Sequence, residues 1–184
     1  MKLIIGLGNP ETRYDGTRHN VGFATLDRFA AAHDATFAHK DKFKADIAEL
    51  IERGDKVLLA KPDTFYNNSG EAVRLLADFY KIEPDDILIV HDELALPLGT
   101  VRSRIGGSDA GNNGVKSVTA HVGPDTARIR IGVSNDTRSQ QGDVDFVLGK
   151  FSQDETKMLA DKAEPIEQLI DAFIADDFEP TTHS

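Results

Sequence analysis

Four short polar stretches of the sequence carry side chains suited to acid–base chemistry or to binding a peptide. They are Asn9 with His19, Tyr66-Asn67, His91-Asp92 and Asn112-Asn113. A histidine side chain titrates near neutral pH, so His19 is the best candidate for a general base. Such a base needs a carboxylate that fixes its tautomer and stabilises its charged form, and Asp92 is suited to this. Asparagine amides donate and accept hydrogen bonds, which suits holding a peptide backbone and polarising a carbonyl.

The composition narrows the chemistry further. The chain has no cysteine, which excludes thiolate catalysis and a cysteine-ligated zinc site. Ser69 stands just before an apolar helical pattern, so it is better explained as a helix cap than as a nucleophile. The residues therefore favour attack of water on an ester or amide, and we expect neither a metal nor a cofactor.

The elements around these stretches predict that they meet at one edge of a sheet. Lys2–Leu7 is an apolar run typical of a buried strand, and Val21–Ala32 has helical spacing. The stretch Gly6–Asn20 therefore crosses from the first strand into the first helix. Ligands of open α/β sheets bind beside such crossings, at the carboxyl ends of the strands.

The rest of the chain predicts an α/β protein. Further strands are expected at Thr36–Lys40, Phe43–Glu52, Lys56–Ala60, Ile87–Val90, Thr100–Ile105 and Ala127–Val133, with a short one at Phe146–Leu148. Leu94–Gly99 reads as a loop, Ser152 as the cap of a last helix that Pro165 kinks, and Glu179–Ser184 as a frayed tail. We expect residues 1–184 to form a single-domain three-layer sandwich, with a mixed, mostly parallel central sheet flanked by helices.

Each candidate residue also has a purely structural interpretation. Gly6-Leu7-Gly8 begins like a dinucleotide-binding loop, but Glu11 replaces the third glycine and Pro10 lacks an N–H. The structural interpretation of this loop is a tight turn that needs small residues, in which His19 only caps or packs.

The other polar residues have similar alternatives. Asn67 could start a turn and Asp92 could cap a loop. Asn112 and Asn113 could occupy turn positions with positive φ in the glycine-rich loop. The joint occurrence of all four stretches favours the functional interpretation over any of these.

The charge is uneven along the chain. The formal net charge is −10, which by itself argues against a nucleic-acid partner. From Val101 to Arg138, however, six basic residues stand against three acidic ones, whereas Ser152–Ser184 has two against nine. Arg102 and Arg104 alternate with less polar residues on one predicted strand, and Arg128 and Arg130 do so on another. Such arginines either form a solvated strand face or bind phosphates. The local electrostatic field, not the net charge of the chain, decides whether phosphates bind.

Seven motifs resemble those of bacterial-type peptidyl-tRNA hydrolases along nearly the whole chain. They are GLGNP (Gly6–Pro10), TRHNVG (Thr17–Gly22), KPDTFYNNSG (Lys61–Gly70), HDELALPLG (His91–Gly99), GGSDAGNNG (Gly106–Gly114), RIRIGV (Arg128–Val133) and FVLGKF (Phe146–Phe151). The resemblance implies hydrolysis of the ester between a peptide and the 3′-terminal ribose of tRNA, which recycles tRNA from stalled translation.

The resemblance also implies roles for single residues. His19 would be the general base and Asp92 its orienting carboxylate. Substrate would contact Asn9, Tyr14, Tyr66, Asn67, Asn112 and Asn113, and tRNA phosphates would contact Arg102, Arg104 and Arg130. The implied partner is peptidyl-tRNA, through its acceptor arm and 3′ end, with no obligate protein partner. We expect a cytoplasmic protein, since no apolar run is long enough for a signal peptide or membrane span. Nothing in the sequence requires a partner chain, so we also expect a monomer.

Two positions depart from the family pattern. Tyr66 stands where the family usually has methionine, and Asn112 stands where it usually has histidine. Activity should be retained, with any reduction a matter of degree, because the His19–Asp92 pair is intact.

Two other functions remain open. One is a non-catalytic RNA-binding protein on the same fold, which would not need the His19–Asp92 pair. The other is a hydrolase of small esters or peptides, which would not need the basic strands.

Overall fold

A computed structural model describes residues 1–184 as one mixed sheet with helices on both faces. The strands are β1 (Lys2–Gly6), β2 (Ala38–Lys40), β3 (Ala45–Glu52), β4 (Asp55–Pro62), β5 (Ile87–Pro97), β6 (Val101–Ile105), β7 (Ala127–Ser134) and β8 (Thr182–His183). The helices are α1 (Val21–Ala32), α2 (Ser69–Tyr80), α3 (Asn113–Val122), α4 (Arg138–Gln141), α5 (Asp143–Leu148), α6 (Gln153–Ala160) and α7 (Ala163–Ile174).

The strand order is β2-β3-β4-β1-β5-β7-β6-β8. The three central pairs, β4-β1, β1-β5 and β5-β7, are parallel, and the four outer pairs are antiparallel. The α/β class and the mixed sheet are confirmed. The expectation that most pairs are parallel is wrong, because the strands at both edges return as antiparallel neighbours.

Two apolar layers hold the helices to the sheet. Helices α1, α5 and α7 pack on one face, where Leu26, Phe146 and Ile170 are fully buried against β1 and β5. Helices α2 and α3 pack on the other face through Leu76 and Val118. The central strands are thus covered on both sides, which explains why β1 and the first half of β5 read as continuous apolar runs.

A glycine lets α1 start directly against the ends of the central strands. A Cβ atom on Gly22 would lie 2.4 Å from the carbonyl oxygen of Val90 and 2.7 Å from the amide nitrogen of Leu7. Only glycine permits this contact between backbones. Because His19 lies three residues before Gly22, the contact brings the histidine to the carboxyl ends of β1 and β5.

Two local predictions fail around the site. Leu94–Gly99 is not simply a loop, since β5 continues through an irregular step to Pro97 and buries Leu96. Phe146–Leu148 ends helix α5 instead of forming a short strand. Three apolar residues in a row have no period that separates strand from helix, so this segment was ambiguous in the sequence.

The C-terminal region also differs from expectation. Ser152 does cap a helix, in a reciprocal capping box with Glu155. The helix ends at Ala160, however, and Pro165 lies in the first turn of the separate helix α7, where a missing N–H is tolerated. The pattern that predicted one kinked helix spans two.

Residues 179–184 are held against the sheet rather than frayed. Thr182–His183 pairs with β6. The Ser103 hydroxyl donates to the Glu179 carbonyl over 2.7 Å and accepts from the Thr181 N–H over 2.8 Å. Elsewhere in the fold, no helix is both long and apolar enough to cross a bilayer.

Candidate active site at the carboxyl ends of the central strands

A crevice of about 490 Å³ opens at the carboxyl ends of β1, β4 and β5. The side chains that the sequence predicts for catalysis and substrate binding all line it, and they are Asn9, Tyr14, His19, Tyr66, Asn67, Asp92, Asn112 and Asn113. The sequence stretches that carry them are far apart in the chain. They meet because the loops after β1 and β4, the middle of β5 and the start of α3 converge on this crevice.

His19 and Asp92 form a hydrogen-bonded pair at the floor of the crevice. His19 lies on the 3-10 turn Arg18–Asn20 that leads into α1, and its Nδ1 lies 3.0 Å from Oδ2 of Asp92. The Asp92 carboxylate is 3% exposed, whereas the imidazole is 17% exposed. A carboxylate accepts only, so Nδ1 carries the proton and Nε2 keeps its lone pair. The histidine is thereby set in the tautomer that can accept a proton.

Tyr66 contacts both members of this pair. Its hydroxyl donates to Oδ1 of Asp92 over 2.5 Å, and its ring stacks on the His19 imidazole with 3.5 Å between ring centroids. Burial, reinforced by the charge of Asp92, raises the pKa of Tyr66 well above its usual value. The phenol therefore stays protonated and both carboxylate oxygens of Asp92 accept a hydrogen bond.

Asn112 contacts the tyrosine from the glycine-rich loop. Its Nδ2 donates to the Tyr66 hydroxyl over 2.7 Å, and its Oδ1 accepts from the Val115 N–H as the N-cap of α3. Helix α3 approaches closely at Gly114, where a Cβ atom would lie 2.5 Å from the Tyr66 ring. The start of α3 thus packs directly on Tyr66.

Asn9 is fixed by its neighbours in the first loop. Its backbone N–H donates to Oδ1 of Asn20, whose Nδ2 donates back to the Asn9 carbonyl, both over 2.9 Å. Its own Oδ1 accepts from the Tyr66 N–H over 2.9 Å. The amide donors of Asn9 have no partner within the protein and remain for a ligand. Asn20 is a supporting residue that sequence reasoning did not assign, although it lies in the same loop.

Exposed side chains form the rim of the crevice. Asn67, on the turn before α2, and Asn113, the first residue of α3, are exposed, and Tyr14 is half-buried. Phe65 is 43% exposed and holds a φ of 64°, an unusual backbone conformation for a phenylalanine. Together with Val144, which is also exposed, it gives the rim an apolar character that the sequence did not indicate.

The predicted arginines separate into two groups. Arg102 and Arg104 lie half-exposed on β6 and form no ion pair, and Arg102 donates to the Thr182 hydroxyl over 3.1 Å. Arg128 is buried, donates to the Ser108 carbonyl over 2.7 Å, and has its pKa lowered by burial. The solvated-face interpretation therefore fails for Arg128.

Arg130 is a correction to the predicted phosphate contacts. Its Nε and Nη2 donate to Oε1 of Glu93 over 2.8 and 2.6 Å, and both side chains are almost fully buried. This ion pair leaves Arg130 less available to a tRNA phosphate than Arg102 and Arg104, which have no acidic partner. The partner, Glu93, comes from another strand and could not be identified from spacing.

An internal ion pair supports the turn that carries His19. Arg18 is buried, donates to the Phe146 carbonyl over 3.2 Å and pairs with Glu155 over 2.9 Å. Burial by itself raises the pKa of Glu155, but hydrogen bonds from the Ser152 N–H, Asn135 and Arg18 outweigh it and leave that pKa below its usual value. Helices α5 and α6 are thus tied to the turn.

No group of three or more histidine or acidic side chains is arranged to hold a metal ion.

Comparison with known proteins gives one consistent family. The family model described as peptidyl-tRNA hydrolase matches residues 3–184. A peptidyl-tRNA hydrolase of Chlorobaculum parvum is 47% identical over 161 residues, which cover 86% of this chain and 84% of the relative. A peptidyl-tRNA hydrolase of Ligilactobacillus salivarius is 41% identical over 178 residues, which cover 96% of this chain and 95% of that relative. The crystal structure of the Acinetobacter baumannii peptidyl-tRNA hydrolase is similar with a TM-score of 0.86 and 32% identity, covering 96% of this chain and 89% of that one.

Proposed function

We propose, from the premise that this chain belongs to the peptidyl-tRNA hydrolase family and hydrolyses peptidyl-tRNA, that His19 is its general base. The observation that carries the proposal is the hydrogen bond of 3.0 Å between His19 Nδ1 and the buried Asp92 carboxylate. It directs the basic Nε2 to the crevice, and it stabilises the imidazolium that forms when a proton is taken up.

The reaction follows from this arrangement. Water, deprotonated by Nε2 of His19, attacks the carbonyl carbon of the ester that joins the peptide to the terminal ribose. The carbon–oxygen bond to the ribose breaks as the tetrahedral intermediate collapses. The imidazolium returns the proton to the departing ribose oxygen. The products are a peptide carboxylate and a tRNA with a free terminal hydroxyl.

The asparagines are proposed to hold the substrate around the reacting carbon. The free amide donors of Asn9 suit a peptide carbonyl oxygen. Asn67 and Asn113, both exposed in the crevice, suit the peptide backbone and the water or developing oxyanion. Tyr14 and the exposed Phe65 supply aromatic surface for the terminal adenine or for an apolar side chain of the peptide.

Arg102 and Arg104 are proposed to bind phosphates of the acceptor arm. They are half-exposed, have no acidic partner and lie on one strand of the sheet whose edge holds the crevice. Their local charge attracts an RNA backbone although the whole chain is acidic. The proposal extends to a cytoplasmic location, where translation takes place, and to a monomer.

The test is release of N-acetylated amino acids from tRNA by His19→Ala. The activity should be lost, whereas His39→Ala, an exposed histidine on β2, should match the unmodified chain. Uncharged tRNA should compete with the substrate, as a hydrolase of small esters would not require. Activity in His19→Ala at the level of the control would reject the assigned base. Binding of tRNA with no release by the unmodified chain would instead favour the RNA-binding alternative.

A further inference from the structure

We propose that Tyr66 is a positioning residue for the catalytic pair: it holds Asp92 through its hydroxyl and the His19 imidazole through its ring, and Asn112 orients that hydroxyl. The inference rests on the proposed roles of His19 and Asp92. It gives Tyr66 a role different from the substrate contact that the resemblance to the family implied.

The hydroxyl controls which way the Asp92 carboxylate faces. Tyr66 donates to Oδ1 over 2.5 Å while His19 donates to Oδ2 over 3.0 Å. A carboxylate held at both oxygens cannot rotate about its Cβ–Cγ bond without losing both charge-assisted hydrogen bonds. Tyr66 therefore keeps Oδ2 in the plane that receives the histidine proton.

The ring controls the orientation of the imidazole. The two ring planes differ by 12°, with centroids 3.5 Å apart. The tyrosine is itself fixed at its backbone N–H by Asn9 and at its ring by the close approach of Gly114. Stacking on a ring that cannot move restricts the rotation of His19 about its side-chain bonds.

Asn112 determines the direction of the tyrosine proton. Its Nδ2 donates to the phenol oxygen over 2.7 Å, and this oxygen then has its own proton available for Asp92. The Asn112 Oδ1 is occupied as the cap of α3, so the amide cannot turn round to accept from the phenol. The hydrogen bonds run in one direction, from Asn112 through Tyr66 to Asp92.

Tyr66 does not contact the reacting atoms through its hydroxyl. The residue is 2% exposed, and its oxygen is enclosed by Asp92 and Asn112. It therefore acts through the catalytic pair and is not an acid or base in the reaction.

A pH profile distinguishes this role from a merely structural one. Removing the hydroxyl leaves Oδ1 of Asp92 unpaired and concentrates the negative charge on the oxygen that faces His19. Both changes favour protonation within the pair, so the acid limb of kcat/KM should move to higher pH. The other titratable groups nearby do not change: Glu93 is paired with Arg130, and burial lowers the pKa of His91.

The experiment compares four variants in the same assay of ester release from tRNA. Tyr66→Phe should lower kcat about tenfold and raise the midpoint of the acid limb by about half to one pH unit, as loss of one hydrogen bond to a charged group predicts. Asn112→Ser keeps an oxygen for the helix cap but removes the donor to the phenol, and should shift the midpoint in the same direction by less. Tyr66→Phe with Asn112→Ser should resemble Tyr66→Phe alone. Tyr80→Phe, a half-buried tyrosine on α2, should leave both quantities unchanged.

Three results with these variants would overturn the inference. One is Tyr66→Phe with the kcat and the midpoint of the unmodified enzyme. Another is a double variant whose losses are the product of the single ones. If thermal unfolding shows that Tyr66→Phe does not fold, Asn112→Ser decides, because it leaves the ring in place, and an unshifted midpoint there overturns the inference. If His19→Ala is active, the proposed base and the role of Tyr66 are both overturned. If His19→Ala is inactive and Tyr66→Phe behaves like the unmodified enzyme, only the role of Tyr66 is overturned.

Discussion

Arg130 and Glu93 form a buried ion pair, in which two guanidinium nitrogens donate to one carboxylate oxygen over 2.8 and 2.6 Å. Glu93 directly follows Asp92 on β5, and Arg130 lies on the neighbouring strand β7. The pair therefore fixes the part of β5 that lies next to Asp92. It also explains why Arg130 is largely buried, whereas Arg102 and Arg104 are half-exposed.

Breaking this pair should destabilise the fold. Arg130→Met leaves Glu93 buried without its counter-charge and should lower the free energy of unfolding by about 3 kcal/mol. Urea unfolding measures the change, with Arg28→Met, an exposed arginine on α1, as the control. Adding Glu93→Gln should recover part of the loss, because the buried charge is then removed. A stable Arg130→Met whose affinity for tRNA is lowered would show that Arg130 binds phosphate after all.

Arg102 and Arg104 should contribute to tRNA affinity and not to stability. Replacing either with glutamine should reduce the slope of log Kd against log salt by about 0.7 to 1, the value for one phosphate contact. The fold should be unaffected, since neither side chain has an acidic partner. Titration of labelled tRNA at several salt concentrations gives the slope. Lys56→Gln, on β4 at the other side of the sheet, is the control, and equal slopes for all three variants would contradict the assignment.

Asp92→Asn should abolish activity through the tautomer of His19. Tyr66 donates to Oδ1 and so directs the amide nitrogen of the new asparagine to Nδ1 of His19. The proton of the imidazole would then lie on Nε2, which could no longer accept one from water. The expected loss in kcat is on the order of a thousandfold or more. Single-turnover release from tRNA measures it, and a loss below about tenfold would mean that Asp92 does not select the tautomer.

Glu155 should make stability depend on acid pH. Its pKa is lower in the folded chain than its usual value, so its contribution is fully present above the unfolded pKa of about 4.3 and is lost as the pH falls through the folded pKa. Glu155→Gln keeps the capping box and removes the charge that faces Arg18. At pH 7 it should be less stable by about 2 kcal/mol, a difference that shrinks below about pH 4. Denaturant unfolding at several pH values tests this, with the exposed Glu164→Gln as the control.

Local patterns predicted much of the fold. The apolar run of β1 and the alternation of Arg102 and Arg104 depend on neighbours in the chain, and both appear as expected. Two features were not predicted correctly: the helix at Phe146–Leu148 and the break between helices before Pro165. An apolar triplet and a stripe at helical spacing are each compatible with more than one structure. The excess of antiparallel pairs and the strand Thr182–His183 were not predicted, because pairing partners are not encoded locally.

The site was predicted in its members but not in its connections. Residue types alone suggested His19 with Asp92, and the structure places them within hydrogen-bonding distance. Tyr66 was expected to contact substrate and was noted as a departure from the family pattern, because nothing in the sequence tells whether its hydroxyl faces the crevice or the carboxylate. Arg130 was misjudged for the same reason: its partner Glu93 is 37 residues away.

The hydrogen bonds between residues 179–184 and β6 affect how two copies of the protein can associate. β6 would otherwise be the outermost strand of that side, with a row of unpaired N–H and C=O groups. Such a row is a template on which a strand of a second copy can add. Thr182–His183 pairs with Val101 and Arg102 there and leaves only a two-residue strand at the border. Residues 179–184 thus limit the addition of a second copy at β6, the strand whose arginines are proposed to bind RNA.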